Sequence, residues 1–162
     1  MSNAILFRMP SGIPGDVSRK SQSTIESHPI GGQFSTFGLF GKISKVNGKF
    51  VPLEAADTVA DIYGLFVRAY PTQTAQNELG KATPQSNGIQ DVLRRGYMTV
   101  KCNAGTAKKT GAVYVRIAGG TEAKPVGGIE AAADGGNSIV LPSAYFMHDA
   151  DAQGNVEISF NI

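Results

Sequence analysis

The chain has 162 residues, a formal net charge of +2 at pH 7, one cysteine and 20 glycines, about twice the usual glycine share. That length suits a single domain with a real core, and eight Phe and five Tyr spread along it exclude full disorder. So small a charge is not that of a nucleic-acid binder, a lone cysteine excludes an intrachain disulfide framework, and no run reaches the ~18 apolar residues of a membrane-spanning helix.

The first 34 residues carry Pro10, Pro14 and Pro29, which bias their predecessors toward extended backbone, and four glycines that permit sharp changes of direction. Ile5, Leu6, Phe7, Met9, Ile13, Val17, Ile25 and Ile30 are too apolar for a solvating tail, yet show no strand or helix period. The segment reads as an extended N-terminal arm (1–34) that packs on its own domain or on a neighbouring subunit, followed by a β-domain (35–162). No charged n-region leads into a long apolar stretch, so synthesis and folding in a cytoplasm are expected.

From Phe37 the pattern changes. Phe37–Ile43 and Lys49–Leu53 flank Val46-Asn47-Gly48, a strong hairpin signal. Residues 53–61 predict one helical turn or a loop. Residues 62–70 predict a long strand ended by Pro71, and Thr72–Gln90 a long exposed loop. Strict alternation then marks three strands. Met98, Val100 and Cys102 oppose Tyr97, Thr99 and Lys101; Val113, Val115 and Ile117 oppose Tyr114 and Arg116; Val156, Ile158, Phe160 and Ile162 oppose Glu157, Ser159 and Asn161. Gly128–Ala133 and Ser138–Leu141, joined by Asp134-Gly135-Gly136-Asn137, predict a second hairpin, and the final strand is expected to run to the last residue. These short strands with turns between them predict an all-β fold, a sandwich or small, jelly-roll-like barrel of short antiparallel strands.

Charge is unevenly placed. Residues 1–50 hold Arg8, Arg19, Lys20, Lys42, Lys45 and Lys49 against Asp16 and Glu26, a net of +4. Residues 122–162 hold Lys124 against six acids, a net of −5. A basic front and an acidic back suit arm-to-neighbour contacts by complementarity, or are uneven surface charge.

No segment assembles a catalytic or cofactor site. Residues 105–110 (GTAKKT) lack the glycine that precedes Lys-Ser/Thr in a phosphate loop, so Lys108 and Lys109 are expected on a solvated hairpin loop. His148-Asp149-Ala150-Asp151 is the one dense polar cluster near a histidine. It reads as a turn into Gly154-Asn155, with a small metal-dependent hydrolase as the enzymatic alternative. Arg94, Arg95, Tyr97, Lys101, Tyr114 and Arg116 would form a nucleic-acid stripe if they shared one face of an open barrel. Cys102, in an alternating strand, is expected as a small core residue. The residues therefore predict a binding or structural protein rather than an enzyme, with no metal or other cofactor and no nucleic-acid or membrane partner.

Taken in order, residues 10–19 (PSGIPGDVSR), 37–43 (FGLFGKI), 57–70 (DTVADIYGLFVRAY), 91–100 (DVLRRGYMTV), 111–117 (GAVYVRI), 127–134 (GGIEAAAD) and 156–162 resemble the structural cement, or capsid decoration, proteins of tailed bacteriophages. The resemblance implies a β-rich, non-enzymatic virion protein on the outer capsid surface, made in the host cytoplasm. It implies binding to major capsid protein of the HK97-like fold and self-association as a dimer or trimer. On that basis Ile5, Phe7, Arg8, Met9, Ile13, Val17 and Arg19 are the expected interface residues, with Arg8 and Arg19 meeting carboxylates of the shell. The alternative is a virion surface module whose loops, Thr72–Gln90 above all, bind a receptor or glycan.

Overall fold

One strand, Ile89–Ala104, is 16 residues long and belongs to two sheets at once. The computed structural model describes residues 11–69 and 84–162. Among them the strands are β1 (Thr24–Pro29), β2 (Phe40–Ile43), β3 (Phe50–Pro52), β4 (Gly64–Phe66), β5 (Ile89–Ala104), β6 (Ala112–Arg116), β7 (Ile129–Glu130), β8 (Ser138–Phe146) and β9 (Asn155–Phe160). Three short 3-10 turns, Lys20–Gln22, Val59–Asp61 and Gly135–Asn137, complete the described elements.

The first half of β5 pairs with β1, from Thr24↔Arg95 to Pro29↔Ile89, and with β4 through Leu65↔Leu93 and Phe66↔Val92. With β2 and β3 these make an open sheet ordered β3-β2-β4-β5-β1. The second half pairs with β9, from Gly96↔Phe160 to Lys101↔Asn155, and in parallel with β7. Since β7 pairs β6, β6 pairs β8 and β8 pairs β9, the ring β5-β7-β6-β8-β9 closes on itself. The fold is thus all-β, a five-stranded barrel carrying an open sheet. β5 turns from one to the other near Gly96, whose φ of 137° suits glycine. A Cβ there would lie 2.3 Å from the Ser23 hydroxyl oxygen.

Period-2 alternation places the barrel core as expected. Met98, Val100, Val113, Val115, Val156 and Ile158 are each 0% exposed. A second cluster on the open sheet is built from phenylalanines. Phe66 packs on Phe34 at 4.7 Å and Phe37 at 5.2 Å between ring centroids, and Phe34 stacks on Phe50 at 5.2 Å. Cys102 lies half-buried against the barrel core, with its thiol pushed up by burial.

The hairpin through Val46-Asn47-Gly48 forms, with Ile43 opposite Phe50, and the 53–61 stretch ends in the Val59–Asp61 turn. Several expectations change. The strand expected over 62–70 is only Gly64–Phe66, because Val67 still bonds to Asp91 but Arg68 turns its N–H to the Gly15 carbonyl. Of the loop expected over Thr72–Gln90, residues 72–83 lie outside the described residues, while Ile89 and Gln90 already begin β5.

The hairpin expected between Gly128 and Leu141 does not form, since β6 lies between β7 and β8. Arg116 of β6 holds that order. It donates Nε to Glu130 Oε1 at 2.7 Å and Nη2 to Asp134, with Arg116 3% and Glu130 0% exposed at their side chains. The same interleaving means that the 105–110 loop joins strands that are not neighbours, and β5–β7 breaks the all-antiparallel expectation. Finally, β9 ends at Phe160 and leaves Ile162 51% exposed.

Phe66→Ala is expected to cost ~3–5 kcal/mol, since it removes the ring that packs on Phe34, Phe37 and Phe50. Urea denaturation of the variant against the parent checks this.

Candidate interface surface

Residues 11–29 form a strap along β5. Pro14-Gly15 occupies the centre of a turn closed by Asp16 N–H to Ile13 O at 3.1 Å, with Gly15 at φ 93° as a type II turn requires. A Cβ on Gly15 would lie 2.5 Å from Phe37 Cβ, so the strap can approach only through glycine. Gly15 N–H donates to Thr99 O at 2.8 Å, Thr99 N–H to Asp16 O at 2.9 Å, and Ser18 N–H to Tyr97 O at 3.1 Å. Val17 pairs with Met98, and β1 carries the strap onward.

Polar pins hold the strap down. Thr99 Oγ1 donates to Ser11 O at 2.6 Å, and Ser11 N–H donates to Asp151 at 3.3 Å. The central pin is Glu157 of β9, which takes Arg19 Nε at 3.1 Å, Arg19 Nη2 at 2.7 Å and Ser18 Oγ at 2.6 Å. Burial pushes the Glu157 carboxyl up, but the hydrogen bonds from Arg19 and Ser18 outweigh it and hold it below the usual carboxylate range. The Arg19 guanidinium also lies 4.1 Å from the Tyr97 ring centroid. Under this cover Thr99 and Glu157, both on the face expected to meet solvent or a partner, are 1% and 9% exposed.

Beyond the strap the same barrel face is closed at Ser159, 6% exposed, and opens at Tyr145. Ala112, Tyr145, Ser159 and Tyr97 stand opposite one another across β6, β8, β9 and β5, which puts them in one row on the outer face. Tyr145 is 47% exposed at its centre, with Val140 of the same strand also open. Tyrosine and arginine are the residue types that dominate protein interfaces, so this row beside Arg19 is the best-formed docking surface among the described residues.

The other sequence candidates resolve differently. Ile5, Phe7, Arg8 and Met9 lie outside the described residues. Ile13 is 46% exposed, Val17 is half-buried against the barrel core, and Arg19 is bound within the chain to Glu157. Asp149 accepts from Lys108 Nζ at 2.6 Å, and Asp151 Oδ1 caps the turn by accepting from Gln153 and Asn155 N–H. His148 uses both ring nitrogens, Nδ1 with Asp149 O and Nε2 accepting from Glu157 N–H. Among the described residues no three His, Cys, Asp or Glu side chains group to hold a metal.

Nor does the basic stripe assemble. Arg116 is buried in its ion pairs with Glu130 and Asp134, Arg94 covers the Tyr63 ring at 3.8 Å, and Lys101 donates to Gln153 O. Arg94 and Tyr63 belong to a polar group with Glu26 and His28 that no sequence motif announced. The hydrogen bond from Tyr63 holds the Glu26 carboxyl down, while burial and that same partner push the Tyr63 phenol up. The uneven charge is largely consumed by these contacts, because Glu130, Asp134, Asp149 and Glu157 each pair with a base of the same chain.

A family model described as XM1 gp53 minor capsid protein matches residues 1–160. The chain belongs to the XM1 gp53 minor capsid protein family. A chain in a solved structure of the capsid of Myoviridae phage XM1 shares the fold, with a TM-score of 0.72 at 19% identity, over 99% of this chain and 97% of that one. No curated protein matches. Membership makes this a capsid-associated structural protein of a phage virion.

Glu157→Gln is expected to lower stability by roughly 1 kcal/mol near neutral pH. A carboxyl held down in the folded state stabilises above its unfolded value, about 4.3, and that gain fades as pH falls through the folded value. The difference between parent and Glu157→Gln should therefore be full above pH 5 and close in acid; thermal melts from pH 7 to 3 check this.

Proposed function

We propose that this member of the family is a decoration, or cement, protein on the outer surface of the phage head that bridges neighbouring major capsid subunits of HK97-like fold. The family match over residues 1–160 carries the reading. The exposed Tyr145, in the row that runs through Ser159 to Tyr97 beside Arg19, supports it, since such a face suits a large protein partner better than a small ligand. In this reading Val17 and Arg19 hold the strap on β5. Ile13 and the ten residues ahead of Ser11, with Ile5, Phe7, Arg8 and Met9, reach a neighbouring subunit.

Ten extended residues span up to ~35 Å, enough to leave one footprint and enter the next. Ordering them costs ~1–2 kcal/mol per residue in backbone entropy, so their apolar side chains have to offset that cost by burial on the partner. Two contacts on adjacent subunits then gain from effective concentration, which suits a clamp of modest single affinities. Self-association as a dimer or trimer would multiply the effect at symmetry-related sites.

Purified protein added to heads that lack it is expected to co-sediment to a fixed number of copies and to raise the temperature at which the shell opens. Removing residues 1–10 should weaken binding at least tenfold, and Tyr145→Ala by a similar factor. Absence of saturable binding to heads at any maturation stage sinks the proposal; full binding by the truncated protein sinks the role of the N-terminal residues.

A further inference from the structure

We propose that the strap, residues 11–29, exchanges between copies, with β5 of one chain accepting the strap of a second copy in place of its own. From Ser11 to Pro29 only Gly15, which has no side chain, is buried; the first buried side chain is Ile30, 2% exposed, at the strap's end. The strap therefore adheres chiefly through its backbone ladder and polar pins, with only the half-buried Val17 packed on the barrel core. Segments with few buried apolar contacts open at lower free energy than the fold as a whole.

Opening uncovers the Tyr97 and Thr99 backbone groups and the buried Glu157 carboxylate, all of which demand new partners. The acceptor is shaped for this chain's own sequence. It needs glycine where Gly15 meets Phe37, a hydroxyl donor at the position of Ser18, and an arginine next to it to fork onto Glu157. A second copy supplies every one of these, so the exchanged and unexchanged forms make the same contacts and differ chiefly in association entropy. Crowding on a shell lowers that term, and this one step rests on the capsid reading. Exchange itself does not, and it is measurable on purified protein.

Ser27 and Asp91 stand opposite each other across β1 and β5, both exposed, with Ser27 Oγ 2.7 Å from Asp91 Oδ1. Ser27→Cys and Asp91→Cys are made in separate preparations, mixed at high concentration, incubated and then oxidised. A disulfide joining positions 27 and 91 across two chains is expected, rising with incubation time to at least tenfold over a mixture of Val46→Cys and Asp91→Cys. That control reports collision alone, because Val46 is 95% exposed on a hairpin tip. A 27–91 yield no higher than the control overturns exchange. Hydrogen exchange on the unaltered protein gives the second reading: the Gly15 and Ser18 amides should exchange at least tenfold faster than those of Ile158 and Phe160 in β9. Equal protection would also overturn it.

Discussion

The backbone of β5 is the constraint on which the rest depends. A 16-residue strand turns the N–H and C=O of successive residues to alternate sides along its whole length, and an unpaired buried group costs as much as a lost hydrogen bond. No single neighbour is long enough to satisfy it. The chain supplies β1 and β4 over the first half, β9 and β7 over the second, and the strap across Tyr97–Thr99. Barrel, open sheet and strap are thus separate solutions to one accounting problem, which is why they meet along this strand.

Two ionic centres set how those partners are arranged. Arg116 seats β7 between β5 and β6, pairing with Glu130 and Asp134 on the buried outer side of the barrel wall, whereas Glu157 ties the N-terminal residues to the wall beneath the strap. The first is buried and strongly position-specific. The second is half-open, with Arg19 42% exposed, so water screens it and its hold is correspondingly gentle. The barrel is closed by burial; the strap is only fastened.

Local patterning was enough to read the β class, the Asn47-Gly48 hairpin and the inward faces of β5, β6 and β9, since each depends on neighbours two residues apart. Non-local matters escaped it. Nothing near Glu130 says that Arg116 is its partner, so Gly128–Leu141 looked like a hairpin. The alternation of Glu157 marked it as outward, and so it is, but a strap 138 residues distant in sequence covers it. Tyr145 was missed because β8 continues through Pro142 by a bulge, where the register jumps from Val113↔Leu141 to Ala112↔Tyr145. Of the apolar residues in the N-terminal stretch, Val17 and Ile30 pack on this chain while Ile13 and Ile25 stay exposed, and the basic residues around them give no hint of which acid they meet.

The antiparallel lie of the strap against β5 has a mechanical consequence. Hydrogen bonds peeled from one end break singly, each at small cost. A tension entering at Ser11 and drawn along the strand axis instead loads the Gly15, Thr99 and Ser18 bonds, the Arg19–Glu157 fork and the β1 ladder together. The same fastening is therefore weak to thermal fraying and stiff to a lengthwise pull.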